Sequence, residues 1–358
     1  MKNIIQNSGK DTAAITRVQS IKLGLDVHAD SYVVVRIVEG QAPQPGQRLR
    51  PEAFEEFVKK QQNQAHKVYA CYEAGPLGFG LQRQLAGLGV VCYVVRPRDW
   101  DQYGSRVKTD KRDAHELALC LDRYVSGNTK AFTVVRVPTP QEEQKRSQSR
   151  LRQSLLSHKQ RLAAQGRGNA LYYGHRLRGN WWKGALWHKL ERQLPAHLLE
   201  LLNPLKGLIE ATQKELTRIT CQIQASAPAQ LPMGVGRLTA QILEREVCDW
   251  TRFKNRRQVA SYTGLCPRED SSGPRRFQGS INKHGNRRLR PLLVECLWRL
   301  CRSQPNYGPV KKWRPLLVDP KATSSRRKKI IVAMARQFAV DWWRIRTDRV
   351  TMDSLGMV

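Results

Sequence analysis

Short apolar, β-branched runs alternate with amphipathic segments over the first third of the chain. Ile21–Val27 and Ser31–Val38 flank the polar segment His28–Asp30, and this pattern predicts a β-hairpin. Strand and helix patterns then alternate: a short strand near 47–50, a helix at 51–62, a strand at 67–72, a helix at 77–88, a strand at 90–95 and a helix from 110. This order predicts an α/β domain in which helices form the crossover connections between strands.

The rest of the chain is mainly helical in pattern. Charged segments with regularly spaced leucines, at 142–164 and 198–223, predict two long helices packed as a coiled-coil hairpin or as a dimer arm. Pro228 and Pro232 mark a boundary, after which helical patterns dominate and the segment 306–325 is irregular. We therefore predict three domains: an α/β domain at 19–135, a helical connector at 136–227 and a mainly helical domain at 228–348.

Four acidic residues stand at the ends of predicted elements. Asp26 interrupts the first strand where an apolar residue is expected, and Glu73 ends a later strand. Asp110 and Asp113 are three residues apart, so both project from one face of the first turn of the following helix. Taken alone, this pair is better explained by an N-cap and a favourable charge at the helix dipole. Together, the four carboxylates favour a site for divalent cations such as Mg²⁺, which supports phosphoryl transfer.

The charge of the chain indicates a polyanionic partner. Its 62 Lys and Arg residues against 30 Asp and Glu residues give a formal net charge of +32, more than surface solubility requires. No apolar run approaches the roughly 20 residues that span a bilayer, so we expect nucleic acid rather than a membrane as the partner. The N-terminal residues lack the apolar core of a signal peptide, which predicts a cytoplasmic protein. Eight Cys residues without C-x-x-C pairs favour free thiols over a zinc site.

Basic and aromatic residues are interleaved at 166–187, between the two predicted long helices. Cationic side chains neutralise phosphates and aromatic rings stack on bases, so this segment is a candidate RNA-contacting element that includes Arg178 and Lys183. The alternative is that its Trp residues only pack against the helix ends.

A serine doublet precedes a strongly basic segment. Ser271 and Ser272 stand directly before Gly273, and the basic residues that follow are Arg275, Arg276, Lys283, Arg287, Arg288 and Arg290. A serine hydroxyl attacks a phosphate only when it is deprotonated and the phosphate charge is neutralised, and guanidinium groups supply that neutralisation. From chemistry alone, a turn in a basic DNA-binding loop is the better explanation.

The same residues resemble a known family. Asp26 in GLDVHAD, Glu73 in YEAG and the run KTDKRDA at 108–114 resemble the D-E-D-D set of a RuvC-like, RNase H-fold domain. More narrowly, they resemble the DEDD transposases of the IS110 insertion-sequence family. A G-x-G turn before a helix, ASYTGL at 260–265 and K-x-G-N-x-x-L-R at 283–290 are similar to the C-terminal domain of that family. The resemblance implies a catalytic serine before the glycine, which assigns the nucleophile to Ser272, with Ser271 as the alternative.

The resemblance also implies partners and an assembly. It implies a bridge RNA that specifies donor and target DNA, a tetramer of two dimers, and an active site that combines the acids of one subunit with the serine of another. The expected function is DNA strand cleavage and rejoining in transposition. Two alternatives stay open: a Holliday-junction resolvase or metal-dependent nuclease in which water attacks, and a non-catalytic nucleic-acid-binding protein.

Overall fold

The structure, a computed structural model, describes residues 17–97, 109–272 and 275–358, without the side chains of residues 270–272 and 276. The chain divides into two compact units, Met1–Val137 and Pro138–Val358. The second unit holds both the predicted connector and the predicted C-terminal domain, so the division into three domains stays a prediction. Among the described residues, no helix has both the length and the apolar character needed to cross a membrane.

The centre of the first unit is a five-stranded mixed sheet. Its strands are β1 Val18–Val27, β2 Tyr32–Val38, β3 Gln47–Leu49, β4 Ala65–Glu73 and β5 Val91–Val95. They lie in the order β3-β2-β1-β4-β5. β2 is antiparallel to both β1 and β3, whereas β4 is parallel to both β1 and β5. The predicted hairpin and the later strands are confirmed.

Helices pack on both faces of this sheet, and they are α1 Pro51–Gln64, α2 Gly80–Gly87 and α3 Asp110–Val125. Side chains alternate along β1, so Ile21, Leu23 and Leu25 enter one core with residues of α1 and α2. The intervening positions of β1 face α3. Because helices cover both faces of the sheet, the sequences of the central strands are nearly continuous apolar runs.

The helix α3 lies unusually close to β1. A Cβ added at Gly24 would collide with the carbonyl oxygen of Ala114 and the backbone nitrogen of Ala118, so only glycine allows this approach. Two residues earlier on the same face, the buried Lys22 forms an ion pair with Asp122, with Nζ and Oδ1 2.6 Å apart. These contacts fix the position of α3 relative to the carboxyl end of β1.

The second unit begins with a pair of long antiparallel helices. They are α4 Pro140–Tyr172 and α6 Ala196–Ala225, and the chain passes between them through α5 Gly184–Gln193. Hydrogen bonds from Gln148 to Gln222 and from Lys159 to Gln213 show the antiparallel pairing, since the later residue on α4 meets the earlier residue on α6. The helical hairpin predicted from the leucine spacing is confirmed.

Five further helices and one strand pair complete the second unit. They are α7 Arg237–Val247, α8 Arg256–Thr263, β6 Pro267–Ser272, β7 Arg275–Ile281, α9 Leu289–Ser303, α10 Gly308–Val318 and α11 Ser324–Arg346. Buried side chains of α7, α9 and α11 share one apolar core. The mainly helical character predicted for this part of the chain is confirmed.

Two local predictions in this part are wrong. The segment 306–325 is not irregular, because it contains α10, in which Pro309 lies in the first turn where a missing N–H costs nothing. The residues 267–281 are not a basic loop but the antiparallel pair of β6 and β7. Their sequence is mostly polar and charged, and Phe277 and Ile281 are too few to give the apolar alternation by which strands are recognised.

Candidate metal centre

Three side chains converge where β1 ends and α3 begins. Asp26, His28 and Asp110 place one ligand atom each within 4.8 Å of one another. His28 Nε2 lies 3.2 Å from Asp26 Oδ2 and 3.8 Å from Asp110 Oδ1. Asp26 is half-buried and His28 is exposed, so the group sits at the surface of the first unit, within reach of a ligand from solvent.

The local structure explains why these residues meet. Lys22, Gly24 and Asp26 alternate along β1 and share the face that carries α3. Thr109, in extended conformation, is the N-cap of α3 and makes no side-chain capping bond, and Asp110 is the first helical residue. The interpretation of Asp110 as an N-cap is therefore wrong, and its carboxylate is available to the group at the end of β1.

A cation of the protein also contacts this group. Arg48, on β3, donates from Nη2 to Asp110 Oδ2 at 2.7 Å and from Nη1 to Ser31 Oγ at 2.8 Å. The hydrogen bond from Arg48 lowers the pKa of Asp110 below its ordinary value, with the charge of His28 as a further contribution. Asp110 therefore stays ionised at neutral pH, as a metal ligand must.

Glu73 lies at the same edge of the sheet as Asp26. β4 runs parallel to β1 with Leu25 opposite Tyr72, so the next residues of the two strands are Asp26 and Glu73. Glu73 shares the α3-facing side of β4 with Cys71, whose thiol donates to the Leu117 carbonyl oxygen at 3.3 Å. The predicted meeting of strand-end carboxylates at one sheet edge thus has a structural basis.

Asp113 follows Asp110 by three residues in the first turn of α3. Among the described residues, neither Asp113 nor Glu73 belongs to the group whose ligand atoms lie within 4.8 Å of one another, and both have interactions of their own. The structure therefore brings two of the four predicted acids, Asp26 and Asp110, into direct proximity. The other two, Glu73 at the end of β4 and Asp113 in the first turn of α3, lie outside this group.

His28 is the residue of this group that the sequence analysis missed. It was assigned only to the turn between the first two strands. The available signal was its spacing from Asp26, because residues two apart at the end of a strand point to the same side.

The ligand set suits a divalent cation. Carboxylate oxygens are the ligands that Mg²⁺ prefers, and it is commonly held by one or two carboxylates together with substrate and water. An imidazole nitrogen extends the range to transition metals such as Mn²⁺. The residues present therefore fit a divalent cation, and Asp26 and Asp110 are the carboxylates that could hold it.

The candidate RNA-contacting segment has a mixed outcome. Arg178 and Lys183 are exposed, as a nucleic-acid contact requires. The three tryptophans of the segment are buried in one core with leucines of α6, and they are Trp181, Trp182 and Trp187. These rings are packed inside the helical hairpin, which favours the packing alternative over base stacking.

The basic motif at 283–290 is a tightly held turn. Gly285 packs against the backbone of Tyr262 and Gly264, where an added Cβ would not fit. Arg290 Nη1 donates to the carbonyl oxygens of Lys283 and Gly285, at 3.0 and 3.1 Å. Arg290 therefore stabilises the turn, whereas Lys283 and the neighbouring Arg287 are exposed.

The serine doublet lies at the tip of the β6–β7 pair. The register sets Ser271 opposite Arg276 and Ser272 opposite Arg275. The side chains of Ser271, Ser272 and Arg276 lie outside the described residues, so the assignment of a nucleophile stays a prediction. Arg275 is exposed.

Comparison with known proteins defines the class. Residues 230–309, from the turn before α7 into α10, match the family described as "Transposase IS116/IS110/IS902 family". The chain is 31% identical over 314 residues to "Putative transposase y4rJ" of Sinorhizobium fredii, a match that covers 80% of this chain and 78% of the relative.

Two further relatives agree with this match. "Putative transposase y4qE" of the same organism is 35% identical over 257 residues, covering 69% of this chain and 62% of the relative. "Transposase for insertion sequence element IS1111A" of Coxiella burnetii is 25% identical over 287 residues, covering 75% of each chain. The chain belongs to the IS116/IS110/IS902 family of transposases.

Proposed function

We propose that this protein cuts and rejoins DNA strands in transposition by metal-dependent phosphoryl transfer, with Mg²⁺ held by Asp26 and Asp110. The observation that carries the proposal is the convergence of these two carboxylates with His28 at the end of β1. Membership of a transposase family supplies the reaction class. The formal charge of +32 suits a polyanionic substrate.

A RuvC-like, RNase H-fold assignment of the first unit is part of this proposal. The mixed five-stranded sheet supports it, with two carboxylate-bearing strands, β1 and β4, paired in parallel at its centre. This pairing brings Asp26 and Glu73 to one edge, and α3 supplies Asp110 and Asp113 across that edge. We include Glu73 and Asp113 as the further ligands of a substrate-loaded site.

The residues of the first unit have separable roles. Asp26 and Asp110 hold the metal, and His28 faces both carboxylates and adds a nitrogen ligand. When bound, Mg²⁺ activates the attacking hydroxyl and stabilises the charge that develops on the phosphate. Arg48 lowers the pKa of Asp110, which extends its ionised range to lower pH, and orients its carboxylate through Oδ2.

The nucleophile and the partners come from the family resemblance. We propose Ser272 as the attacking residue, with Ser271 as the alternative, and Arg275, Arg276 and Arg287 among the cations that neutralise the phosphate. We further propose a bridge RNA, donor and target DNA as partners, and an assembly from dimer to tetramer in which different subunits contribute acids and serine.

The experiment compares carboxylate variants in a plasmid recombination assay and in Mg²⁺ titrations followed by thermal unfolding. Asp26→Asn and Asp110→Asn should abolish recombination and reduce the thermal stabilisation by Mg²⁺, because each removes an anionic ligand and conserves shape. Asp30→Asn is the matched control, since Asp30 is an exposed acid of the same turn. Wild-type recombination by Asp26→Asn or Asp110→Asn would refute the metal centre.

A further inference from the structure

A cationic cavity of about 360 Å³ opens in the second unit, between α4 and the turn before α9. It is lined by four residues of α4 and two of the turn, and these are Arg150, Gln153, Ser154, Ser157, Arg287 and Arg288. Among the described lining residues, every side chain is a hydrogen-bond donor, three are guanidinium groups, and none is acidic. Such a lining selects an anion with several acceptor oxygens.

A buried carboxylate fixes one of the three guanidinium groups. Glu246, on α7, is 1% exposed and accepts from Arg150 through two parallel bonds, each 3.0 Å long. Asn286 Nδ2 also donates to Glu246 Oε2, at 2.9 Å. These bonds fix the conformation of the Arg150 side chain before any ligand binds. Binding therefore does not carry the entropic cost of ordering this side chain.

The second guanidinium is held in a similar way. Arg288 Nε donates to Gln153 Oε1 at 2.9 Å, and its backbone N–H is bonded to Asn286 Oδ1. Among the described residues, these bonds use Nε and Nη2 of Arg150 and only Nε of Arg288. The remaining terminal nitrogens, with the exposed Arg287, are the donors that a ligand would meet.

The charges around the cavity do not cancel. The buried Glu246, which is not one of the lining residues, is already paired with Arg150. Burial lowers the pKa of Arg288 from its ordinary value, and the positive charges of Arg150 and Arg287 lower it further. The guanidinium groups of Arg150, Arg287 and Arg288 therefore repel one another, and the nearby negative charge does not fully compensate this repulsion.

We propose that this cavity binds a backbone phosphodiester of a nucleic acid, an inference that rests on the proposed function. The guanidinium groups of Arg287 and Arg288 contact the phosphate oxygens, and the hydroxyl groups of Ser154 and Ser157 donate further bonds. None of the six described lining residues is aromatic, so the lining offers no ring for base stacking, and we expect the cavity to contact the nucleic-acid backbone without base specificity. The helix α4 thereby becomes part of the nucleic-acid surface together with the basic motif.

The test uses charge insertion at an exposed position of the lining. Ser154→Glu places a carboxylate in the cavity, and Ser154→Gln has the same size without the charge. Binding of the full chain is measured by fluorescence anisotropy at several salt concentrations, in EDTA, on a duplex DNA and on a single-stranded RNA. EDTA removes divalent cations, so this test measures binding without the metal-dependent reaction. If the cavity does not bind nucleic acid, the proposed reaction can still be correct, and if the proposed reaction is wrong, the cavity can still bind nucleic acid.

We expect Ser154→Glu to weaken binding about tenfold at low salt and Ser154→Gln to leave it within about twofold. Arg287→Gln should reduce the salt slope by about 0.9 per lost contact on duplex DNA, or about 0.7 on a single strand. If Ser154→Glu binds only one of the two nucleic acids more weakly, that nucleic acid occupies the cavity. If it binds both more weakly, the cavity accepts the backbone of either.

A second charge variant controls for the change in net charge. Gln165→Glu adds the same charge to an exposed position of α4 outside the lining, and it should bind like the wild type. Equal binding by Ser154→Glu and Ser154→Gln would overturn the proposal, and so would equal losses for Ser154→Glu and Gln165→Glu. Thermal unfolding confirms folding, because a carboxylate beside Arg287 and Arg288 should not destabilise the free protein.

Discussion

Arg48 donates a hydrogen bond of 2.7 Å to the carboxylate of Asp110, so a side chain of the protein itself neutralises part of the candidate metal centre. This bond is the main cause of the lowered pKa of Asp110. It has two opposite effects on metal binding. It keeps the carboxylate ionised, and it places a positive charge within a few ångströms of the cation that the carboxylate would hold.

At neutral pH the repulsion between Arg48 and the bound cation should outweigh the benefit of a lowered Asp110 pKa, because Asp110 is ionised there with or without Arg48. Arg48→Gln should therefore bind Mg²⁺ about fivefold more tightly, which corresponds to about 1 kcal/mol for an exposed charge pair. Arg50→Gln, which removes an exposed cation two residues away, is the control. Isothermal titration calorimetry measures both, and an unchanged or weaker affinity in Arg48→Gln would show that Arg48 does not compete with the metal.

His28 gives the metal centre a testable selectivity. Imidazole is a better ligand for Mn²⁺ than for Mg²⁺, which prefers oxygen. His28→Gln should therefore lower the affinity for Mn²⁺ by about tenfold and the affinity for Mg²⁺ by much less. His66→Gln, at an exposed histidine of β4, should change neither. Equal losses for the two metals would remove His28 from the ligand set and leave the two carboxylates.

The carboxylates of this site were predictable to a large extent because each marks the end of an element. Asp26 stood out as an acid within an apolar strand, and Asp110 stood at a helix start. The proximity of Asp26 to Asp110 depends on the close approach of α3 over Gly24, and the parallel pairing of β1 with β4 brings Glu73 to the same end of the sheet. His28 escaped notice because polar residues between two strands are normally explained by the turn alone.

The second unit was less predictable, for physical reasons that differ between elements. The strands β6 and β7 are mostly polar, and Phe277 and Ile281 alone are too few for a hydrophobic period to indicate them. Arg290 was predicted only as a nucleic-acid contact, and the sequence did not indicate that it also holds the turn at Lys283 and Gly285. The tryptophans at 181–187 lay beside cations in sequence, and only the fold shows that these rings are buried.

Because α3 lies so close to β1 at Gly24, adding one methyl group at this position should strongly destabilise the fold. Gly24→Ala would press a Cβ against the backbone of α3, which cannot yield as a flexible side chain would. We expect a loss of about 3 kcal/mol in the free energy of unfolding, measured by denaturant titration, and weaker metal binding because Asp110 is displaced. Gly87→Ala is the control, since an added Cβ meets nothing within 4 Å there. Wild-type stability in Gly24→Ala would contradict the packing of α3.

Two glutamates of α7 should respond to pH in opposite directions. Burial raises the pKa of Glu246, but hydrogen bonds from Arg150 and Asn286 outweigh it, so the pKa is lowered overall. Burial also raises the pKa of Glu244, and here it outweighs Arg346, Trp250 and Trp342. The stability from Glu246 is therefore present above its ordinary pKa and lost as pH falls through the lowered one. Glu244 instead favours folding increasingly as pH falls through its raised pKa.

Glu246→Gln should cost about 2 kcal/mol at neutral pH, because it leaves Arg150 without its bidentate partner, and the cost should shrink in acid. Glu244→Gln should cost less than about 1 kcal/mol, since the fold already favours the neutral form at this position. Denaturant unfolding of each variant and the wild type from about pH 2.5, below the ordinary pKa of a glutamate, to about pH 7 gives the differences. A cost for Glu246→Gln that does not change with pH would contradict the lowered pKa.

The mechanism of strand transfer separates the proposed recombinase from a resolvase in which water attacks. If Ser272 is the nucleophile, its attack on a backbone phosphate releases one DNA end and leaves a phosphoserine bond to the other. That bond conserves the energy of the phosphodiester, so rejoining needs no nucleotide cofactor. Ser272→Ala should therefore bind nucleic acid as the wild type does and cut nothing, whereas Ser271→Ala should lose little activity.

A suicide DNA substrate, nicked near the crossover so that the cut end cannot rejoin, should trap this bond. We expect a denaturant-resistant protein–DNA band that mass spectrometry maps to the peptide containing Ser272, and Asp26→Asn should not form it because the metal centre activates the hydroxyl. A band that disappears only in Ser271→Ala would move the nucleophile by one residue and keep the mechanism. Cleavage by Ser272→Ala that leaves free 5′-phosphate ends would mean that water attacks, and the protein would then act as a metal-dependent nuclease.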